Sequence, residues 1–400
     1  MKNAKHIVKT VLFCGTLAVF SAVSVFSPKE KGSFYENRRL AVFPVPSVET
    51  VLDGTFFSDV ETYISDHFAC RVPLLRLNVR KELALHNPVV SNTVIAGDTL
   101  LPYHGKPRTD YGHENMQTVL DALSQVSAAC ETVGAKFVYL SIPEQSSALR
   151  YKYPSYLTSG TYTDDSMRTD FLAGLDARGI DCLNMADYLC TDPEKYYSKT
   201  DHHYNFYGAY ETYLRTMEHL QALGIDAPVT TDVTIEPIER QFLGSRSRKL
   251  LGEYPTDDKL YRFTLGTPVP FTRTDNGNPV ASTVVNENFN NVYDYYMGGD
   301  IGETIIKTNR PSLPRVLVVG DSFTNPLEGI LYTSCDEMRS LDYRHYDGEN
   351  ILDYIADYQP DVVLYVRDDL TCITTEATAR WDLRNKKGTL RGVFSDRHVV

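Results

Sequence analysis

Four consecutive aliphatic residues, Val316-Leu317-Val318-Val319, run straight into Gly320-Asp321-Ser322-Phe323. A short run that is apolar on both faces suits a central strand of a parallel sheet, where helices cover either side. Gly320 lets the chain turn sharply, and Asn325-Pro326 reads as a helix N-cap followed by proline at the first helical position. The alternation recurs elsewhere. A helix is expected from about Asn115 to Val133, ended at Gly134, then a strand over 137–143. A polar helix near 163–178, a strand near Asp181 and a helix from Phe206 to Leu223 follow, the last with Asn205 as its N-cap. Later come strands at 315–319, 338–342 and 361–366, with helices at 326–333 and 349–357 between them. This pattern predicts an α/β fold whose parallel sheet is covered on both faces, in three layers. Residues 225–300 lack helical period and carry turn signals such as Asn276-Gly277-Asn278-Pro279, which predicts a β-rich insertion.

The N-terminus is of another kind. Lys2, Lys5 and Lys9 precede an apolar stretch that reaches Phe26, the pattern of a signal anchor or of a secretory signal. The stretch is just long enough to cross a bilayer, and Ala22-Val23-Ser24 offers a small-x-small cleavage site. A soluble core helix fits the lysine-rich flank less well. The expectation is a membrane segment over 1–27, with the rest of the chain outside the cytoplasmic membrane, or secreted if the signal is cleaved. A proline-bearing stalk and N-terminal helical segment should span 28–90, helical over 52–87, and the α/β domain 91–400. A formal net charge of −12 argues against nucleic-acid binding. Of seven cysteines, Cys14 lies in the membrane segment; the other six permit disulfides without requiring them, and no spacing suits structural zinc.

Two loops carry reactive side chains. Ser322 stands beyond the carboxyl end of its strand, where ligands bind in parallel sheets, and at the start of a helix whose N–H groups could receive an oxyanion. Asp-Ser is also a common helix cap. Upstream, Thr200-Asp201-His202-His203-Tyr204 precedes the helix at Phe206. Residues i and i+2 of an extended loop project to one side, so Asp201 can reach His203 Nδ1 and leave Nε2 for a serine, with His202 turned away. The bland alternative is a polar loop whose Asp and His satisfy backbone groups. A metal site built from Asp201, His202 and His203 is weaker, for want of a distal ligand.

Asp201-His202-His203-Tyr204 followed by Gly208-Ala209 resembles the D-x-H-W…G-A signature of the alginate O-acetylation proteins, and more closely the bacterial family named for its DHHW motif. Gly320-Asp321-Ser322-Phe323 is similar to the serine block of the SGNH (GDSL) hydrolases. Glu36-Asn37-Arg38-Arg39-Leu40, Asp66-His67-Phe68-Ala69-Cys70-Arg71, Met297-Gly298-Gly299 and Asp342-Tyr343-Arg344 extend the likeness over roughly residues 33–370. Tyr204 stands where the family has Trp, and no Gly-x-Asn block supplies the usual side-chain oxyanion donor.

The resemblance implies an SGNH-like, flavodoxin-like sheet and an extracytoplasmic serine acyl enzyme with Ser322 as nucleophile, His203 as base and Asp201 as its orienter. Gly298, Gly299, Arg344 and Tyr204 are candidates for oxyanion or substrate contacts. The implied activity is O-acetyl transfer to, or ester hydrolysis on, a cell-envelope polysaccharide, with a multi-spanning membrane acyltransferase as a possible acetyl donor. No cofactor or metal is implied. The alternative from another class is a non-catalytic glycan-binding or scaffold protein that keeps the fold; the retained Ser, His and Asp count against it.

Overall fold

The computed structural model describes residues 2–105, 112–289 and 292–374. The chain forms two compact units, one running through Ser91 with Ser247–Pro255 added, the other comprising Asn92–Arg246 and the chain from Thr256 onward.

In the first unit, helix α1 (Lys2–Phe26) is long and apolar enough over Lys5–Phe26 to cross a membrane, and none of that stretch is buried. The helical segment expected over 52–87 is two helices, α2 (Thr55–Asp66) and α3 (Arg71–Ala84), broken where Cys70 takes a left-handed φ of 58°. Pro73 sits in the first turn of α3, where its missing N–H costs nothing. The two upstream motifs bind each other across this break. Arg38 donates to Asp66 at 2.8 Å and Arg71 to both Glu36 oxygens at 2.9 and 2.8 Å. Asp66 also accepts the Ala41 N–H at 2.8 Å, and His67 Nε2 lies 2.8 Å from the Ala41 carbonyl. With the Arg38 guanidinium beside it, the Asp66 carboxyl is held below its ordinary value despite its burial.

The second unit is built on an eight-stranded mixed sheet. Its strands are β1 (Lys136–Ile142), β2 (Cys182–Asn184), β3 (Thr272–Asp275), β4 (Asn278–Val280), β5 (Glu303–Lys307), β6 (Arg315–Val319), β7 (Glu337–Leu341) and β8 (Val362–Asp368). The order across the sheet is β4-β3-β5-β7-β6-β8-β1-β2. From β7 to β2 all neighbours are parallel, as expected. The departure is at the other edge: β3 and β4, read as part of the β-rich insertion at 225–300, join the main sheet through β5, and this edge is antiparallel. Strand β5 was not anticipated, although its alternating burial is the period-2 pattern of a strand covered on one side.

Helices α4 (His113–Val133), α5 (Thr161–Asp176), α6 (Phe206–Ala222), α7 (Thr324–Leu331) and α8 (Ile351–Tyr358) cover the sheet. Phe137, Tyr139, Leu317, Val319, Val363 and Tyr365 join the apolar residues of α4, α5 and α8 in one core cluster. The alternate residues Val138, Leu140, Val316, Val318 and Leu364 are just as buried on the other face. That double burial explains why the strands read as unbroken apolar runs. All seven cysteines are unpaired.

Helix α6 starts as expected: the Asn205 side chain accepts the Tyr207 and Gly208 N–H groups. Asn205→Ala should therefore lower the free energy of unfolding by about 0.5–2 kcal/mol, measured by denaturant titration. An unchanged midpoint would mean that this cap contributes nothing.

Candidate active site

Ser322 lies two residues beyond Gly320, the residue that follows β6. A Cβ on Gly320 would meet Thr324 Cγ2 at 2.3 Å and the Val366 carbonyl at 2.9 Å, so the turn is as tight as the sequence suggested. The helix behind it begins earlier than expected. Helix α7 starts at Thr324 with Phe323 as an uncapped N-cap residue, so Asn325 is not the cap and Pro326 is not the first helical residue. Asp321 does the work expected of Asn325: its side chain accepts the Phe323 N–H at 3.0 Å and its carbonyl the Thr324 N–H at 2.9 Å. Asn325 instead donates from Nδ2 to Asp300 at 3.1 Å. Asp321 is held in turn by Arg367 at 3.0 Å.

His203 Nε2 lies 2.8 Å from Ser322 Oγ, and its Nδ1 lies 2.6 Å from Asp201 Oδ1. Asp201 and His203 are each only 4% exposed, whereas Ser322 is half-buried and so within reach of a substrate. The i, i+2 geometry is explicit, since Asp201 Oδ1 also accepts the His203 N–H at 3.2 Å. His202 is not the histidine on Ser322: its Nδ1 lies 3.0 Å from Ser245 Oγ and 3.4 Å from Asp201 Oδ1, so it is not turned away from the carboxylate as the spacing suggested. The His203 ring is sandwiched, with Tyr293 stacked on it at 3.8 Å and 11° and His202 at 3.7 Å on a tilt.

Burial alone would push the Asp201 carboxyl up. The His202 and His203 imidazoles, the hydrogen bond from His203 and the Ser245 N–H at 2.6 Å outweigh it and hold the carboxyl well below its ordinary value. Asp201, His202 and His203 present ligand atoms within 4.8 Å of one another, close enough to hold a metal. However, both His203 nitrogens and both Asp201 oxygens are already engaged by protein groups, so a metal would have to break the Ser-His-Asp couple.

The loop 199–205 is pinned from several segments of this unit. The Lys199 carbonyl accepts the Leu100 N–H at 2.8 Å, the Thr200 carbonyl the Arg246 N–H at 3.0 Å and the His202 carbonyl the Gln145 N–H at 3.1 Å. Thr200 gives its own N–H and hydroxyl to Asp258 at 2.8 and 2.7 Å. Arg246 anchors the clamp, with Nε on Gln145 at 2.9 Å and the other end of its guanidinium on the buried Glu144. Sequence reasoning missed Ser245, Arg246, Gln145 and Tyr293. Gly244 was the available signal: a Cβ there would meet the Thr200 carbonyl oxygen at 2.4 Å and Asp201 N at 2.7 Å.

The secondary candidates divide. Tyr204 is fully buried, with its hydroxyl bonded to the Phe323 carbonyl, so it braces the serine turn from behind and does not touch substrate. Arg344 is held by Asp342 at 2.6 Å and Asp300 at 3.0 Å, so its charge is already compensated. The Gly299 N–H is given to the Tyr296 carbonyl at 3.1 Å, which removes it as an oxyanion donor. Gly298, at a φ of 86°, faces open space. Asp300, just after these glycines, ties their loop to α7 through Asn325.

A serine at the carboxyl end of a central parallel strand, facing an Asp-x-His loop from across the sheet, defines an SGNH hydrolase-like fold. Residues 102–251, which hold Asp201 and His203, match the family described as SGNH hydrolase-like domain, acetyltransferase AlgX, and residues 36–118 match the DHHW protein family; Ser322 lies outside both matches. Among solved structures the chain is similar to Bacillus cereus PatB1 with a sulfonyl adduct, at 20% identity and a TM-score of 0.58, over 70% of this chain and 95% of that one. It is also similar to a DHHW family protein from Eubacterium siraeum, at 18% identity and a TM-score of 0.55, over 72% and 94%. These two likenesses show a shared fold. No curated protein matches the chain.

Gly244→Ala should displace the Thr200–Asp201 backbone and slow labelling of Ser322 by a fluorophosphonate on the order of 10²-fold. An unchanged labelling rate would mean that the clamp does not position the couple. A pH effect follows from Asp369, which accepts the Glu144 N–H at 2.8 Å and pairs with Arg168 at 3.1 Å. Burial raises its carboxyl from 3.8 to about 6 against these two contacts. In that window the folded chain keeps a proton that the unfolded chain has lost, so this group makes stability fall as pH rises from about 4 to about 6. Asp369→Asn should flatten that part of the Tm–pH curve; an identical slope would refute the assignment. Asp201 contributes with the opposite sign, and its share is lost only as pH falls well below 3.8.

Proposed function

We propose that this chain is an extracytoplasmic serine acyl enzyme of the SGNH type, an O-acetyltransferase acting on a cell-envelope polysaccharide. The observation that carries the reading is the unbroken line from Ser322 Oγ through His203 to an ionised, buried Asp201, at 2.8 and 2.6 Å. Ser322 attacks the ester carbonyl while His203 Nε2 takes its proton. The tetrahedral oxyanion is received by the Ser322 N–H, since the Phe323 and Thr324 N–H groups are committed to Asp321. His203 returns the proton to the departing alcohol, leaving an acyl-Ser322 ester. An acceptor hydroxyl then gives its proton to His203, attacks the acyl carbon and frees Ser322. Gly298 is the glycine we place beside the substrate.

Two facts favour acetyl transfer to an envelope glycan: the match of residues 102–251 to an acetyltransferase family and a membrane-type helix ahead of the enzyme unit. A multi-spanning acyltransferase supplying the acetyl group fits the same arrangement. Hydrolysis differs only in having water as the second acceptor. The scaffold reading leaves the aligned couple unexplained.

The deciding measurement is turnover of a simple acetyl ester, with and without polysaccharide acceptor. Ser322→Ala should abolish both fluorophosphonate labelling and turnover while leaving the fold intact. Asp201→Asn should lower the rate by about 10⁴-fold, because an amide can hold His203 in the wrong tautomer. Equal rates in all three proteins would favour the scaffold. Loss of wild-type turnover on treatment with a chelator would favour a metal at Asp201, His202 and His203. A rate raised by the acceptor, with acetyl groups appearing on it, separates transfer from hydrolysis.

A further inference from the structure

The described residues with large exposed apolar side chains are unevenly distributed. Outside α1 they concentrate between Phe34 and Leu85, all in the first unit, where Val42, Val45, Val48 and Leu52 are each at least 79% exposed. Only Tyr103, Tyr151, Tyr156 and Val280 join them from the second unit. On α2 the exposed or half-buried residues Phe57, Val60 and Ile64, with Phe68 just past its end, fall at helical spacing into one stripe. Ser58, Asp59, Thr62 and Ser65 lie between them around the helix, and the exposed Glu61 borders the stripe beside Phe57.

The stripe is continuous with α1. The Phe68 ring stacks on Phe20 at 5.7 Å and 6°, and the Ala69 N–H donates to Ser24 Oγ at 2.8 Å. A cavity of about 390 Å³ lies between these segments, lined by Val25, Phe43, Tyr63, Ile64 and Phe68 among others. The 22 residues of the apolar span make about 33 Å of helix, against a hydrocarbon core of about 30 Å. Such a helix has little length to spare above the bilayer. Phe20 lies about 9 Å below its end along the axis, the depth at which the apolar face of an interfacial helix sits, about 5–10 Å.

We propose that the surface from Val42 to Leu77 is a lipid-binding surface, seated in the outer leaflet of the bilayer that α1 crosses. This rests on the reading of α1 as a retained membrane anchor. Of the charged groups, Asp66 pairs with Arg38 and Arg71 with Glu36, whereas Glu49, Asp53, Asp59 and Glu61 are exposed and have to stay at headgroup level while the apolar side chains enter the leaflet. Lys29, beside the cavity, suits a headgroup phosphate. A protein partner would not explain why the apolar stripe meets α1 at lipid depth.

The test uses the full chain in vesicles of phosphatidylcholine and phosphatidylglycerol with brominated acyl chains, with Trp381→Phe removing the chain's single tryptophan. Phe57→Trp, Phe68→Trp and Val280→Trp are then compared; Phe57 is 61% exposed, so its replacement tolerates the fold. Phe57→Trp and Phe68→Trp should lose most of their fluorescence to the bromine, and Val280→Trp none. Protein that floats with the vesicles while both probes stay bright overturns the proposal and leaves the anchor in place. Quenching at all three positions overturns it too, as non-specific adsorption. Failure to float defeats the anchor reading, and this inference with it.

Discussion

Asp201 carries a buried negative charge, and the site is arranged around satisfying it. One oxygen accepts from the His203 ring and the His203 N–H; the other accepts from the Ser245 N–H. A buried carboxylate is tolerated only with such bonding, and each bond fixes something else. The bonds to His203 set ring orientation and tautomer, aiming Nε2 at the serine. The bond from Ser245 imports the strand-end chemistry of Glu144 and Gln145 through Arg246. Removing any of these partners would act on the charge first and on the geometry as a result.

Much of this was legible in the sequence because the local signals were unambiguous. Strand β6 has the bounds read from its aliphatic run, and the Asp-x-His spacing says which histidine shares a side with the carboxylate. Asn205 was recognisable as a cap because nothing competes with it. Asn325 misled for the opposite reason: Asp321, four residues earlier, supplies the turn's hydrogen bonds and frees Asn325 for Asp300. The antiparallel edge β3-β4-β5 was hidden because its pairing is non-local, and strand pairing leaves no mark on the residues between. Ser245 and Arg246 were unreadable because they reach the loop partly through backbone N–H groups, which any residue but proline has, and partly through side-chain partners distant in sequence.

The first unit shows how a weak motif becomes meaningful through a second one. Neither the stretch at 36–40 nor that at 66–71 says much alone. Together they form reciprocal Arg38–Asp66 and Glu36–Arg71 contacts that hold the chain after the apolar helix against the start of α3. Ion pairs of this kind at half-exposed positions contribute little stability each; their value lies in fixing which segments meet.

The sandwich of His203 between Tyr293 and His202 also has a kinetic meaning. With Nδ1 held by Asp201 the imidazole can exchange protons with substrates only at Nε2, and the covered faces keep the ring from tilting away from that line. In an acyl enzyme so built, the departing alcohol and the incoming hydroxyl must use that one nitrogen in turn. On the acyl-enzyme reading proposed above, the departing alcohol leaves Nε2 before the acceptor hydroxyl takes its place, and the acyl-Ser322 ester separates the two half-reactions.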